Sequence, residues 1–375
     1  MSLNIAIIGA GPVGLTLARL LLASPSNVNV TIFERDASAS AQMTKGGTLD
    51  LHADTGLAAL DAAGLREAFD RVGRYDPLSG GTAFADREGN RVFEMPISED
   101  EANKRPEIDR GDLRTLLLDG IPEGTIQWGA RVTSIASDGT LSLEGGREVD
   151  VSQYDLVVGA DGAWSKVRAH MNAGKPVYSG LGGFEMHIEA PDVKQPGLAS
   201  AVGHGLLFAV GGGRGIVGQR LGSGAIMLYA MIRTQGPEDI AAIVDSHGGD
   251  WALVKEHVKG IYEAHGWGKE LLGWFDAAEP ATMRAWPLYE YELPNGHVWE
   301  HVKGMRDALE LSKRICASET GDQLDAAVKE YEEEMFARLR PYMFKTIGIK
   351  DGLFSEGAPG SYLDTLREVA ASGDH

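Results

Sequence analysis

The stretch Ile5-Ala6-Ile7-Ile8-Gly9-Ala10-Gly11-Pro12-Val13-Gly14-Leu15 decides how the start of the chain folds. It joins a short apolar run, typical of a buried strand, to glycines in the spacing G-x-G-x-x-G. In this pattern the first glycine permits a tight turn and the second lets the backbone approach a pyrophosphate. The third allows a helix to pack closely on the strand. The phosphates then lie at the helix N-terminus, where N–H groups and the helix dipole favour negative charge.

The residues that follow complete a βαβ unit. The apolar pattern predicts a strand over residues 3–8, a helix over 12–23 and a second strand over 28–33. Glu34 directly follows the second strand, where a carboxylate can accept hydrogen bonds from ribose hydroxyls. We therefore predict a dinucleotide site whose members are Gly9, Gly11, Pro12, Val13, Gly14, Glu34 and Arg35. The fingerprint alone does not separate FAD from NAD.

Composition narrows the class of protein. The chain has 375 residues, of which 43% are hydrophobic, so it can form two to three domains or one large composite unit. Its net charge of −19 disfavours nucleic acid as a partner. The first apolar run stops at Gly9, which predicts neither a signal peptide nor a membrane span. With Cys316 as the single cysteine, we expect a protein of the cytoplasm.

Three further motifs resemble the flavin-dependent aromatic hydroxylases of the para-hydroxybenzoate hydroxylase type. The stretches Gly46-Gly47-Thr48-Leu49-Asp50-Leu51 and Glu107-Ile108-Asp109-Arg110-Gly111-Asp112-Leu113-Arg114 look like the tetracycline-inactivating branch of that family. The stretch Asp155-Leu156-Val157-Val158-Gly159-Ala160-Asp161-Gly162 resembles the family's Asp-Gly motif, which is associated with FAD and NAD(P)H use. The likeness extends over most of the chain and is weakest in its glycine-rich middle.

The resemblance implies an α/β fold with two interleaved domains. A Rossmann-like FAD-binding domain is expected over residues 1–176 and 279–345, and an antiparallel-sheet substrate domain over 177–278. A C-terminal helical tail is expected over 346–375, after helices at 305–316 and 324–339. The family's activity is the hydroxylation of an aromatic or polyketide-like molecule, with FAD, NADPH or NADH, and O2. The flavin performs the chemistry, so we assign no catalytic side chain.

The resemblance also assigns residues to the flavin site. The residues that match Asp50 and Arg110 contact FAD in the family, and Asp161 and Gly162 form the Asp-Gly motif. From chemistry alone, Arg110 can donate to flavin or phosphate oxygens, or it can form a surface salt bridge with Glu107 or Asp112. Asp161 can serve the cofactor or be a plain turn residue before Gly162.

Candidate substrate residues lie on the predicted strands of the second domain. His187 is the first of these, with Gln219 and Tyr229 as weaker candidates. A histidine on a strand is also compatible with simple packing or with exposure to solvent. The single cysteine forms no cluster that could hold a metal, so we predict no metal site.

One part of the chain departs from the family pattern. The family normally has a strand, the motif Gly-Asp-Ala-Ala-His, a loop rich in proline and glycine, and then a helix. Here about twenty residues of this pattern, including the second FAD motif, are absent between Gly304 and Met305. Alternatively, Val298–Lys303 replaces the strand and Asp307 supplies the acid. Met43 also stands where the tetracycline-inactivating branch has an arginine linked to NADPH.

Three hypotheses follow from these observations. The first is an FAD-dependent monooxygenase, and the second is a non-catalytic or impaired flavoprotein relative that lacks the second FAD motif. The third is an NAD-dependent dehydrogenase, which ranks last because no Tyr-x-x-x-Lys arrangement or catalytic histidine is recognisable. The motifs favour the first hypothesis, and the junction at Gly304 and Met305 favours the second.

Overall fold

The computed structural model describes residues 2–42, 46–76, 81–171, 175–292 and 301–372. Met43 therefore lies outside the described residues. The chain forms two compact units. Unit 1 contains Met1–Gly73, Ile108–Pro176 and Tyr291–Met343, and unit 2 contains Arg74–Glu107, Val177–Glu290 and Phe344–His375. The functional roles that we predict for the two domains stay a prediction.

The strands of the described residues are numbered in chain order. They are β1 (Leu3–Ile8), β2 (Val28–Phe33), β3 (Thr48–Asp50), β4 (Thr82–Ala85), β5 (Arg91–Met95), β6 (Glu107–Asp109), β7 (Ile126–Gln127), β8 (Val132–Ile135), β9 (Leu141–Leu143), β10 (Glu148–Val149), β11 (Leu156–Gly159), β12 (Lys175–Ile188), β13 (Leu206–Gly211), β14 (Arg214–Arg220), β15 (Ile226–Arg233) and β16 (Glu279–Glu292).

The α-helices are numbered in the same way. They are α1 (Pro12–Ala23), α2 (Gly56–Ala62), α3 (Arg66–Asp70), α4 (Glu99–Lys104), α5 (Arg110–Leu118), α6 (Lys166–His170), α7 (Pro191–Lys194), α8 (Pro196–Val202), α9 (Glu238–Asp245), α10 (Trp251–Ala264), α11 (Lys269–Ala277), α12 (His301–Ala317), α13 (Gly321–Leu353) and α14 (Leu363–Ser372). Within the described residues, no helix is both long enough and apolar enough to span a membrane.

A four-stranded parallel sheet organises unit 1, with the strand order β11-β1-β2-β7. The predicted bounds of β1, α1 and β2 are confirmed. Ile5 and Ile7 on β1 are fully buried, as expected for a central parallel strand, which is covered on both faces. Helix α1 buries Leu17 and Leu21, and α12 packs against α1 and α2. The sheet and these helices form the frame of the predicted nucleotide site.

Strand β11 lies at the edge of this sheet, because among the described strands it pairs only with β1. Helix α12 already begins at His301. The alternative in which Val298–Lys303 forms a replacement strand is therefore wrong for residues 301–303, which are helical. Residues 298–300 lie outside the described part of the chain.

A seven-stranded sheet organises unit 2, in the order β16-β12-β15-β14-β13-β4-β5. Strands β12 to β15 are antiparallel where they pair, and β4 joins β13 in parallel. One face of the sheet packs on helices α8 to α11. Tyr262 of α10 is fully buried there, and its hydroxyl donates to the carbonyls of Gly215 (3.0 Å) and Met231 (2.8 Å). Burial raises the pKa of Tyr262 well above its ordinary value.

The opposite face of this sheet carries a second apolar cluster. Leu353, Phe354 and Tyr362, from the C-terminal part of the chain, pack there with Val210 and Met231 of the sheet. The molecule therefore has the predicted α/β fold, with a Rossmann-like parallel sheet, a largely antiparallel second sheet and C-terminal helices.

Candidate nucleotide and substrate sites

The carboxyl ends of β11, β1 and β2 lie side by side at one edge of the parallel sheet. Strand β1 leads into Gly9, β2 into Glu34, and β11 into the turn with Asp161. The Gly9 N–H donates to the Phe33 carbonyl at 2.8 Å, which joins the first two of these turns. The carboxyl ends of parallel strands are where α/β sheets bind nucleotides. The fold therefore brings together the fingerprint, the predicted ribose acid and the Asp-Gly motif.

The fingerprint glycines have different physical roles. Gly9 has φ +108°, and a Cβ there would lie 2.4 Å from the carbonyl oxygen of Ala160. A Cβ on Gly14 would lie 2.1 Å from the carbonyl oxygen of Gly9. Gly11 is different, because a Cβ there would meet no heavy atom within 4 Å. Gly9 and Gly14 are thus required by the fold itself, whereas Gly11 borders open space.

The start of α1 offers hydrogen-bond donors to an anion. Gly11 is the N-cap residue, Pro12 is the first helical residue, and no side chain of the described residues caps the helix. Val13 and Gly14 follow in the first turn, whose N–H groups have no carbonyl partner within the helix. These groups carry the positive end of the helix dipole. An uncapped first turn beside open space suits a pyrophosphate.

Glu34 is held in place by the backbone. The residue is only 6% exposed. One carboxylate oxygen accepts from the Ala10 N–H at 2.5 Å, and the other accepts from the Asp36 N–H at 2.9 Å. Each carboxylate oxygen can accept a further hydrogen bond, which suits the hydroxyls of a ribose. Arg35, the next residue, is exposed.

A buried ion pair supports the segment that carries Glu34. Arg114 of α5 lies 2.9 Å from the Asp36 carboxylate, and both side chains are at least nine-tenths buried. The Arg114 guanidinium also lies 5.7 Å from the centre of the Trp128 ring. Its Nη1 is buried with no hydrogen-bond partner among the described residues. Sequence reasoning missed this pair, although Arg114 is the last residue of the motif that contains Arg110.

Within the described residues, only one of the two carboxylate oxygens of Asp161 accepts a hydrogen bond. Its Oδ2 accepts a hydrogen bond from the Lys166 N–H at 2.6 Å, as expected if Asp161 is a plain turn residue. Its Oδ1 is buried and has no hydrogen-bond partner among the described residues. Gly162 follows with φ +79°, in the left-handed region. A buried carboxylate oxygen favours a donor such as a ribose or ribityl hydroxyl and disfavours a phosphate.

Asp50 and Arg110 are not part of the parallel sheet, since they lie on β3 and at the first residue of α5. Both are half-buried. The Arg110 side chain crosses Gly46, where a Cβ would lie 2.7 Å from the Arg110 Cδ. The alternative partner Glu107 is ion-paired with Arg74 at 2.9 Å. The predicted contact of Asp50 and Arg110 with FAD stays a prediction.

The residues present fit the adenosine diphosphate half of FAD. The first turn of α1 and the space beside Gly11 match the pyrophosphate. The Glu34 carboxylate matches the adenosine ribose, and the Asp161 Oδ1 matches a hydroxyl group. These donors and acceptors agree with the chemistry that the fingerprint requires.

The segment that would face the flavin half is different. Helix α12 runs through Gly304 and Met305 without interruption. Asp307, the proposed substitute acid, is 5% exposed and is ion-paired with Arg338 of α13 at 2.6 Å. Its carboxylate therefore joins two helices and does not stand at the end of a strand. The described residues 301–317 thus provide no strand-end Gly-Asp motif.

The predicted substrate residues lie on one face of the unit 2 sheet. Across β12, β15 and β14, the register places His187 opposite Met227, and Met227 opposite Gln219. Tyr229 is two residues further along β15 and therefore points to the same face. Phe184 and its alternating neighbours point to the helix-packed face instead. The structure thus brings His187, Gln219 and Tyr229 together.

The same face carries residues that sequence reasoning missed. Glu185 lies directly opposite Tyr229. The Trp286 ring lies over Gly183, where a Cβ would be 2.8 Å from the ring edge. The rings of Phe84 and Phe208 stack, with centroids 5.5 Å apart and an interplanar angle of 13°. Strand alternation around His187 would have placed Glu185 on its face, but the aromatic partners come from distant strands.

Comparison with known proteins agrees with this geometry. A family profile described as an FAD binding domain matches residues 2–236. The monooxygenase asqM of Emericella nidulans is 34% identical over 248 residues, which are 62% of this chain and 54% of that protein. The chain thus spans about half the length of this relative.

Solved structures share the fold. Klebsiella pneumoniae HpxO complexed with FAD and uric acid has a TM-score of 0.74 at 18% identity, over 98% of this chain and 93% of that one. The tetracycline destructase Tet(55) has a TM-score of 0.66 at 17% identity, over 99% and 95%. The family match extends over more than half of the 375 residues. The chain therefore belongs to the FAD-binding monooxygenase family of the aromatic-hydroxylase type.

Proposed function

We propose that this protein is an FAD-dependent monooxygenase that hydroxylates an aromatic or polyketide-like small molecule. NADPH or NADH supplies the electrons and O2 supplies the oxygen atom. The observation that carries the proposal is a sheet face with both aromatic and polar side chains. His187, Tyr229 and Gln219 lie on this face, on the neighbouring strands β12, β15 and β14. Ligand sites of this kind combine apolar area with a few polar groups that fix orientation. HpxO, which shares the fold, was solved with uric acid, a planar ring compound.

The protein's own residues would bind and orient the substrate. The partly buried Phe208, whose ring stacks on that of the buried Phe84, offers flat apolar area to an aromatic ring. His187, Gln219 and Tyr229 supply hydrogen-bonding groups that fix which ring carbon is presented. When bound, FAD supplies the redox chemistry. The open space at Gly11 and the Glu34 carboxylate would anchor its adenosine diphosphate half.

A second candidate function is a flavoprotein relative with impaired turnover. It is favoured by the uninterrupted start of α12 and by the ion pair between Asp307 and Arg338. According to this hypothesis, the protein binds the adenosine half of FAD well and the flavin half only weakly. Oxygen transfer would then be inefficient, because it depends on a fixed distance between the flavin and the substrate.

The test uses the purified chain with added FAD, NADPH or NADH, and a panel of phenols and fused-ring aromatics under labelled O2. We expect at least one compound to stimulate reductant oxidation and to gain one labelled oxygen atom by mass spectrometry. Reductant oxidation that yields only hydrogen peroxide with every compound would contradict the first function and support the second. The His187→Ala variant should lower the labelled product while leaving the unstimulated oxidation rate unchanged.

A further inference from the structure

Glu185 is a further polar residue on the substrate face of the unit 2 sheet. It alternates along β12 with Phe184 and Met186, which are fully buried against the helices. Its side chain therefore lies on the opposite face, next to His187 and opposite Tyr229. This carboxylate is only 14% exposed, which is unusual for a glutamate on a sheet face.

The surroundings of Glu185 leave its carboxylate weakly paired. Its ion pair among the described residues is with Arg284 Nη1 at 3.6 Å, which is longer than a hydrogen bond. Arg284 is 42% exposed, so solvent competes strongly for this cation. Trp286 lies over Gly183, one step along the same face of β12. Aromatic groups thus lie along and across the sheet from a carboxylate that has no donor within hydrogen-bond distance among the described residues.

We infer that Glu185 determines substrate specificity by accepting a hydrogen bond from an N–H or O–H group on an aromatic ring. This inference rests on the proposed function, because it takes the sheet face as the substrate site. A half-buried carboxylate gains most from a donor, since hydrogen bonds to charged groups are stronger than neutral ones. The same carboxylate repels an anionic substrate. The substrate class is therefore a neutral or cationic aromatic compound with a hydrogen-bond donor.

The experiment measures the binding of three matched probes to the full chain by their fluorescence anisotropy. The probes are 2-naphthol, which has a donor, 2-methoxynaphthalene, which has none, and 2-naphthoate, which is an anion. We expect 2-naphthol to bind about tenfold more tightly than 2-methoxynaphthalene, as one charge-assisted hydrogen bond predicts. We expect 2-naphthoate to bind most weakly of the three.

Substitutions connect this preference to Glu185. Glu185→Leu should bring 2-naphthol and 2-methoxynaphthalene to equal affinity, and Glu185→Gln should keep part of the preference because its amide oxygen still accepts. The matched control is Glu94→Gln, an exposed glutamate on β5 between Phe93 and Met95, which should leave the preference unchanged. Thermal unfolding of each variant shows whether it is folded, and Glu185→Gln preserves the test if Glu185→Leu is not.

The outcomes separate the inference from the proposed function. Equal binding of 2-naphthol and 2-methoxynaphthalene to the unmodified chain would overturn the role of Glu185 while keeping the aromatic site. Tightest binding of 2-naphthoate would also overturn it, since Arg284 would then be the group that binds the substrate's polar substituent. A preference that persists in Glu185→Leu would do the same. No binding of any probe would instead contradict the proposed substrate face itself.

Discussion

Gly304 packs directly on Val13: a Cβ at position 304 would lie 2.5 Å from the Val13 Cγ2. Helix α12 therefore rests on the first turn of α1, beside the predicted pyrophosphate site. Only residues 301–303 of the described helix precede this contact. The start of α12 thus occupies the place along the chain where the family pattern has a strand, the Gly-Asp motif and a loop. The residues for the adenosine half of FAD are therefore in place, whereas residues 301–317 provide no strand-end motif for the flavin half.

The first prediction separates the roles of the fingerprint glycines. Gly11→Val should fold with little change in melting temperature, because a Cβ there meets no atom within 4 Å, yet its side chain would occupy the pyrophosphate space. Gly14→Val should unfold the unit, because its Cβ would lie 2.1 Å from a backbone oxygen. Thermal unfolding and calorimetric titration with FAD measure the two effects.

The result that matters most is the FAD affinity of Gly11→Val. We expect a loss of at least a hundredfold, from the removal of two or more hydrogen bonds to a charged group. Full FAD affinity in a folded Gly11→Val protein would show that the pyrophosphate lies elsewhere. Glu34→Ala should give a smaller loss of about tenfold, as expected for one ribose contact.

The second prediction concerns the substrate face. His187→Ala and Tyr229→Phe should change the affinity for aromatic ligands by about tenfold, because each removes a polar contact to the ring substituents. Neither change should alter the amount of bound FAD, since both residues lie on the unit 2 sheet. The control is His257→Ala, an exposed histidine of α10. Loss of FAD with unchanged ligand binding would show that the division of function between the two units is wrong.

The third prediction concerns the ion pair between Arg114 and Asp36. Asp36→Asn should lower the free energy of unfolding by about 3 kcal/mol, because it leaves a buried guanidinium without its countercharge. The matched control is Glu67→Gln, which breaks the exposed pair with Arg71 and should change stability by less than about 0.5 kcal/mol. Denaturant unfolding measures both. Similar small losses in the two variants would mean that the Arg114 pair is solvated in solution.

The local elements of unit 1 could be predicted from sequence. The bounds of β1, α1 and β2 are confirmed because apolar periodicity and the glycine turn act over short distances. Strand β11, which leads into the Asp-Gly motif, lies at an edge of the sheet among the described strands. The predicted helix over 324–339 continues to Leu353 as α13, although Pro341 removes one backbone donor. Residues after 346 then pack on the sheet face of unit 2.

Contacts between distant segments could not be predicted in this way. Strand β4 pairs in parallel with β13, which joins residues more than a hundred positions apart. The same distance separates the partners in the stacked rings of Phe84 and Phe208. Arg114 and Asp36 are individually ordinary charged residues, and only the fold shows that they are buried together. Glu185 stood next to a predicted site residue and was missed because its neighbours on other strands were unknown.

The fourth prediction addresses the junction between Gly304 and Met305. Because Asp307 is held by Arg338, the chain should gain little affinity from the flavin half of FAD. We therefore expect FAD and ADP to bind within about tenfold of each other, which is the contribution of roughly one hydrogen bond. An insert with the family's strand, Gly-Asp-Ala-Ala-His motif and loop should also pair with β11, which is an edge strand among the described residues. A glycine- and serine-rich insert of equal length is the control.

The most direct measurement is the ratio of the dissociation constants for ADP and FAD, determined by calorimetry before and after this insertion. We predict a ratio below about ten for the chain without the insert. With the family insert the ratio should rise at least a hundredfold, because two to three contacts to the flavin half are restored. The control insert should leave the ratio unchanged. A chain that already binds FAD more than a hundredfold more tightly than ADP, with no gain from the insert, would contradict the account.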